Sequence, residues 1–228
     1  MLSNAILTFD TDWAQDPVIE KTFGYLETLG TKSTWFMTHD SPALRRLSEH
    51  PLIEVGIHPN FRAGSTQGKN HLAIMDNLLA IFPMAKCVRT HGMIWSAELA
   101  ELFAMKGLLV DSSVYHPNAR PYRKQYGDKT IWRIPYTWAD DAWMLGDVGA
   151  DNPIQIMCFH PIHIFLNSLT MARYNIFKRH AKSDNISGIE KWGWNGNMSE
   201  FGVGSILLEI LTRQRKDIFK FLTEVPDG

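Results

Sequence analysis

The sequence predicts an α/β protein with a mainly parallel sheet, and three observations carry that reading. Short β-rich runs alternate with helical patterns through the first 160 residues. The stretches between the runs are long enough for the right-handed crossovers that join parallel strands. Ionisable residues collect just past the ends of the runs, where parallel α/β folds place their functional side chains. The sheet is either open and doubly wound or closed into a barrel.

The elements follow in order. Asn4 to Phe9 is the first apolar, β-rich run. Asp16-Pro17 then opens a helix that Gly30 closes, with proline in the first turn and glycine past the end. Ser33 to Met37 is the second strand, and Ser41-Pro42 opens the next helix. Leu52 to Ile57 is the third, followed by helical spacing from about Asn70 to Phe82. Lys86 to Arg89 is the fourth, after which Ser96 with Glu98 starts a helix that stops at Gly107. Leu108 to Val110, Ile131 to Pro135 and Ile154 to Phe159 complete seven candidate strands. Beyond His160 the rhythm breaks. Residues 167–201, rich in aromatic, glycine and charged residues, read as an insertion or lid before a helix near Gly204 to Arg215. Residues 1–228 read as one domain, with no repeat or low-complexity tract.

With 228 residues, 45% hydrophobic and 21% charged, the chain can form a core without disulfide or metal staples. Lys+Arg 23 against Asp+Glu 24 leaves a charge of -1, with no positive excess for a phosphate backbone, which argues against nucleic acid as a partner. Cys87 and Cys158 stand alone in apolar stretches and read as buried free thiols. The start, MLSNAILTFDTDW, lacks a basic region and is interrupted by Asp10 and Asp12, unlike a secretory signal. No run reaches the roughly 18 apolar residues of a membrane span. A cytoplasmic protein is expected.

Past the strand ends stand Asp10 and Asp12, His39 and Asp40, His58, Arg89 and His91, Asp111, and His160 and His163. Five of the nine histidines lie at these edges. A closed barrel would converge them on one centre, whereas an open sheet would keep its first and last strands apart. Aspartate and histidine from separate strands suit a divalent ion such as Zn²⁺ with an open water position. Such an ion lowers the pKa of its water towards about 7 and polarises a carbonyl, while a carboxylate base and a histidine acid complete an amide or ester hydrolase.

The strings TFDTDW, EVGIHPNF, RTHG, DSSVY and CFHPIH resemble, in order, the five motifs of the polysaccharide deacetylase superfamily, over about Thr8 to His163. The forms TFDTDW, HPNF and FHPIHI are similar to those of its branch in bacterial surface-polysaccharide and O-antigen synthesis. The resemblance implies a distorted (β/α) barrel with about seven parallel strands. It implies Asp10 as general base, Asp12 and His58 as metal ligands, Arg89 holding the base, and Asp111 hydrogen-bonded to the catalytic histidine. His160 matches the general acid. The family's second metal-binding histidine is replaced by Arg62, and His91 is the candidate to fill the vacancy, with His39, His71 and His163 behind it.

Each residue also has a plainer reading. Asp10 and Asp12 could cap the following helix, although Asp16 before Pro17 suits that task better. His58 could be a core histidine, Arg89 half of a surface ion pair, Asp111 the start of an Asx turn with Ser112 and Ser113, and His160-Pro161 turn chemistry.

The implied cofactor is a divalent metal, Zn²⁺ in the first place. The implied substrate is an acetylated sugar, whether a nucleotide sugar, a lipid-linked glycan or a polymer, N- or O-acetylated. Trp13, Trp138, Trp143, Trp192 and Trp194 offer flat faces for sugar rings, though most such residues are packing. Arg120, Arg123, Lys124 and Lys129 form a basic stretch that reads as a solvated loop or a phosphate contact. Two other functions fit: a cyclic amide hydrolase of the same superfamily, and a non-catalytic carbohydrate-binding or scaffold protein, the latter suggested by Arg62.

Overall fold

The computed structural model describes residues 4–144, 154–183 and 188–227. In chain order the elements are β1 (Asn4–Asp10), α1 (Asp16–Leu29), β2 (Ser33–Met37), α2 (Pro42–Ser48), β3 (Ile53–Ile57), α3 (His71–Ile81), β4 (Cys87–Val88), α4 (Ala97–Met105) and β5 (Val110–Asp111). Then come β6 (Tyr122–Tyr126), β7 (Lys129–Arg133), β8 (Trp138–Ala139), α5 (Asp140–Met144), β9 (Ile154–Phe159), α6 (Pro161–Leu166), α7 (Met171–Ser183) and α8 (Val203–Arg213).

The predicted helix signals act at the atomic level. Ser41, Asn70 and Ser96 accept the backbone N–H of Leu44, Ala73 and Leu99, capping α2, α3 and α4. Gly30 ends α1 in the left-handed conformation, φ 63°, which glycine adopts without a Cβ penalty. Asp16 does not cap α1: Gln15 is the N-cap residue, and the Asp16 carboxylate instead accepts the Ala43 N–H of α2 at 3.3 Å.

The sheet order is β6-β7-β5-β4-β3-β2-β1-β9-β8, parallel throughout except for the β6–β7 hairpin. β7 and β8 belong to one stretch of chain, and this closes the sheet. Trp132 and Ile134 donate to Leu109 and Asp111 carbonyls at the β5 edge, Tyr136 donates to Val114, and Thr137 donates to Ile156 at the β9 edge. Lys129 to Ala139 thereby spans the gap between β5 and β9. Counting that stretch once gives seven parallel staves, as expected for the distorted barrel.

Side chains alternate across the staves with period two. Leu7, Phe9, Trp35, Val55, Ile57 and Val88 face the helices and form the larger core, where Phe9 stacks on Trp35 at 4.6 Å. Ile6, Phe36, Cys87, Val110, Ile134 and Cys158 fill the inside. Gly56 leaves room for Phe36, whose ring would lie 2.6 Å from an added Cβ. At the N-terminal end of the barrel the C-terminal turn supplies Leu222 and Val225 to this interior. It is tied there by Leu222 N–H to Thr34 Oγ1 at 3.0 Å and by Thr223 N–H to Glu54 at 3.3 Å. The opposite, C-terminal end holds the polar residues.

One expectation changes: the basic stretch is not a loop, because Arg123 and Lys124 lie on β6, an exposed edge strand paired with β7. Residues 167–201 contain α7, packed on α6, with 184–187 outside the described residues. The last helix starts at Val203 and ends at Arg213. Cys87 and Cys158 are both buried and free, as read. Among the described residues no helix is long and apolar enough to cross a membrane.

Candidate active site

Asp10 ends β1 and points into the barrel, 5% exposed. Arg89, one residue past β4 and 1% exposed, donates to Asp10 Oδ1 at 2.9 Å and to Thr8 Oγ1 at 2.8 Å. It also donates to the Ser112 carbonyl and hydroxyl, with its guanidinium against the rings of Phe36 (4.3 Å) and Tyr136 (4.5 Å). This is a buried ion pair with its donors satisfied, not the surface pair of the plainer reading. On the other side the Cys158 thiol donates to Asp10 Oδ2 at 3.4 Å. Burial raises the Asp10 pKa, but the charge of Arg89, helped by His58 and His160, outweighs it and holds the carboxyl below its ordinary value. Asp10 is ionised at neutral pH.

Asp12 sits two residues on, in a turn where Asp12 (φ 43°) and Trp13 (φ 56°) both take left-handed backbone. The cost, roughly 1–2 kcal/mol for each, is offset by a knot of hydrogen bonds. Thr11 and Thr38 hydroxyls lie 3.0 Å apart, and Trp13 N–H donates to Thr38 Oγ1 at 3.0 Å. The turn aims Asp12 Oδ1 at two histidines, 3.2 Å from His58 Nε2 and 3.0 Å from His91 Nδ1. Burial raises the Asp12 pKa, and the hydrogen bonds to His58 and His91 overcome it, leaving the group well below the usual carboxylate range.

These three residues fit a divalent cation. Their donor atoms lie within 4.8 Å of one another, and ligand atoms about 2.1 Å from a tetrahedral ion are about 3.4 Å apart. Two imidazole nitrogens and one carboxylate oxygen are a donor set that suits zinc. Arg62 takes no place in the group. Its guanidinium lies against Gly92, where a Cβ would come within 2.3 Å of Nη2, and Gly92 at φ 67° shapes the turn that carries His91. His39 bonds Thr38 and His71 packs on Phe61, so neither of these runners-up joins Asp12. His163 groups with His160 and Asp140 instead.

His160 follows β9. Its Nε2 is 3.6 Å from Asp12 Oδ2, and its Nδ1 is 2.7 Å from Asp140 Oδ1. The His160 N–H also donates to Asp140 Oδ2 at 2.7 Å, and Asp140 is fully buried. Burial lowers the imidazole pKa, but the Asp140 charge and hydrogen bond reverse this and lift it well above the ordinary histidine value. The expectation that Asp111 bonds the catalytic histidine is thereby corrected. Asp111 accepts the Ser113 N–H at 2.9 Å in an Asx turn and lies 3.8 Å from Arg133, while the carboxylate on His160 comes from the start of α5. Burial raises the Asp111 pKa.

A cleft of about 300 Å³ opens beside Asp12 and His160. Trp13 and Val18 form part of one wall, and Met171, Tyr174, Phe177 and Lys178 of α7 form another. The sequence does not mark Asp140 or Tyr174 as site residues, and it marks Cys158 only as a buried thiol. A signal existed only for Cys158, which lies on β9 two residues before His160, a spacing that carries extended chain back to the same side.

The fold, a distorted parallel barrel with its ionisable residues gathered at one rim, is that of the polysaccharide deacetylases and related enzymes. Over residues 7–178 the sequence matches the WbmS-like polysaccharide deacetylase family, and the chain belongs to that family. A structure from Bordetella bronchiseptica, described as a polysaccharide deacetylase involved in O-antigen biosynthesis, is similar with a TM-score of 0.80 and 29% identity, covering 93% of this chain and 91% of that one. A polysaccharide deacetylase-type structure from Mycobacterium smegmatis has a TM-score of 0.52 at 16% identity over 92% and 91% of the chains. The 4-alpha-glucanotransferase of Thermococcus litoralis has a TM-score of 0.53 at 12% identity, covering 98% of this chain but 38% of its own. These last two show a common fold alone. A search of curated proteins gave no match.

Proposed function

We propose that this protein is a metal-dependent deacetylase that removes an N- or O-acetyl group from a sugar of a bacterial surface polysaccharide or its precursor. The observation that carries the reading is that Asp12, His58 and His91 converge on one point with Asp10 and His160 on either side. Asp12, His58 and His91 would hold the ion, Zn²⁺ being the best match to the donors. When bound, a divalent ion activates water and polarises the acetyl carbonyl.

The chain's own residues supply the proton transfers. Asp10, kept ionised by Arg89, takes a proton from the attacking water. Asp140 holds His160 Nδ1 and raises the imidazole pKa, which favours the protonated form, and Nε2 remains to give a proton to the leaving nitrogen or oxygen. The C–N or C–O bond breaks, and acetate and the free amine or alcohol depart. The cleft beside His160 would receive the sugar, with 167–201 as a wall or lid over it.

The test is divalent metal per chain in the wild type, His58→Ala and His91→Ala, together with acetate release from acetylated sugars. About one ion per chain in the wild type, reduced in both variants and accompanied by acetate release, is the expected result. A chain that takes up no zinc on reconstitution would overturn the reading in favour of a binding protein.

A further inference from the structure

We infer that α7 and the loop before α8 form a docking surface for an anionic lipid bilayer. Met171 to Ser183 carries Arg173, Lys178, Arg179 and Lys182 and no Asp or Glu, in a chain whose net charge is -1. Among the described residues neither Arg173 nor Arg179 pairs with a carboxylate, and both are exposed. Uncompensated positive charge on one element of a near-neutral protein favours a negatively charged partner.

Exposed apolar side chains lie on the same helix and on the segments that flank it. Leu169 is 52% exposed, Ile176 42%, Met198 50% and Phe201 59%. Two hydrogen bonds bring the first and last together: Asn167 Nδ2 donates to the Glu200 carbonyl at 2.8 Å, and Val203 N–H donates to Ser168 O at 3.1 Å. Leu169 and Phe201 thus flank one clamp at the foot of α7. The inner side of the helix is already taken by Phe177 and Tyr174, which pack against Val18, Phe165 and Leu166. The combination of cations with protruding apolar groups suits the headgroup region of a membrane, where basic residues meet anionic phosphates and large apolar side chains enter the acyl boundary.

The same helix lines the cleft through Met171, Tyr174 and Lys178. Docking through its outer face would bring the mouth of the cleft to the bilayer surface, where a lipid-linked glycan is presented. That consequence rests on the deacetylase reading; the docking itself does not.

The test is co-sedimentation of the full chain with phosphatidylcholine vesicles, with and without phosphatidylglycerol. Binding is expected with the anionic vesicles only, weakening as salt is raised. Arg173→Gln with Arg179→Gln should lower the partition coefficient roughly 30-fold, and Leu169→Ser with Phe201→Ser roughly tenfold. Circular dichroism of both double variants checks folding. No binding to anionic vesicles at low salt overturns the inference. So does binding that depends on the arginines but not on Leu169 and Phe201, which would show that the apolar side chains do not enter the bilayer. Vesicle binding is read without substrate or added metal, so its failure leaves the deacetylase reading standing, and lost acetate release with retained binding would count against that reading alone.

Discussion

The two aspartates of TFDTDW are separated by one residue and are held by opposite means. Asp10 lies inside the barrel, clamped between the buried guanidinium of Arg89, which reaches across from the end of β4, and a thiol on the neighbouring stave β9. Asp12 lies at the rim, on a left-handed turn, facing histidines from two other strand ends. The first arrangement couples function to the core, because the charge of Arg89 has nowhere else to go. The second couples it to loops, so it can change without unfolding the barrel. The comparison makes stability and metal binding separable.

The largest effect on stability should come from Arg89→Leu, which leaves Asp10 as an uncompensated buried charge. Removing one partner of a buried pair costs about 3–5 kcal/mol, read as a lowered urea midpoint. Asp12→Asn should change the midpoint far less and abolish tight zinc binding. Equal losses of stability in the two variants would remove the distinction.

Within the reaction, Asp10→Asn should keep the metal and lower turnover by roughly 10²-fold or more. Unchanged turnover would exclude Asp10 as the base. Asp140→Asn tests the corrected partner of His160. The Asp140 charge and hydrogen bond raise the imidazole pKa above the ordinary histidine value, so the activity the protonated form supports falls as pH rises through that raised value. Removing the Asp140 charge should move the alkaline limb of the rate profile to lower pH, while Asp111→Asn should leave that limb in place.

Seven staves were legible because each is an apolar run bounded by turn or cap residues. β6 was not, since YRKQY is an exposed edge strand with almost no apolar face, and β8 is two residues long. The candidate site was legible where it is local to a strand end: Asp10, Asp12, His58, His91 and His160 follow the runs read as strands, and Arg89 ends one. The His160 partner was not, because Asp140 lies 20 residues earlier and DSS at the end of β5 presents an aspartate in the expected order. Only the register separates the two. Asp111 pairs along β5 with Val88 and Arg133, whereas Ala139, next to Asp140, pairs with Cys158 on the His160 strand.

The smallest expected effect sharpens the comparison most. If the rim is adaptable because its ligands sit on turns, His91 has taken over the position left by Arg62, and restoring histidine there should add little. Arg62→His should retain about one ion per chain and change turnover by less than roughly threefold, since no ligand is gained that the tetrahedral set lacks. The Arg62 guanidinium ends against the Gly92 turn that carries His91, so in the same background His91→Ala should lose less metal than in the wild type if the new histidine reaches the vacated place. A double variant that loses metal as fully as His91→Ala alone would show that residue 62 cannot reach the ion. The substitution of the family's histidine would then be a fixed feature of this rim, anchored by the Gly92 turn, and not one exchangeable ligand among others.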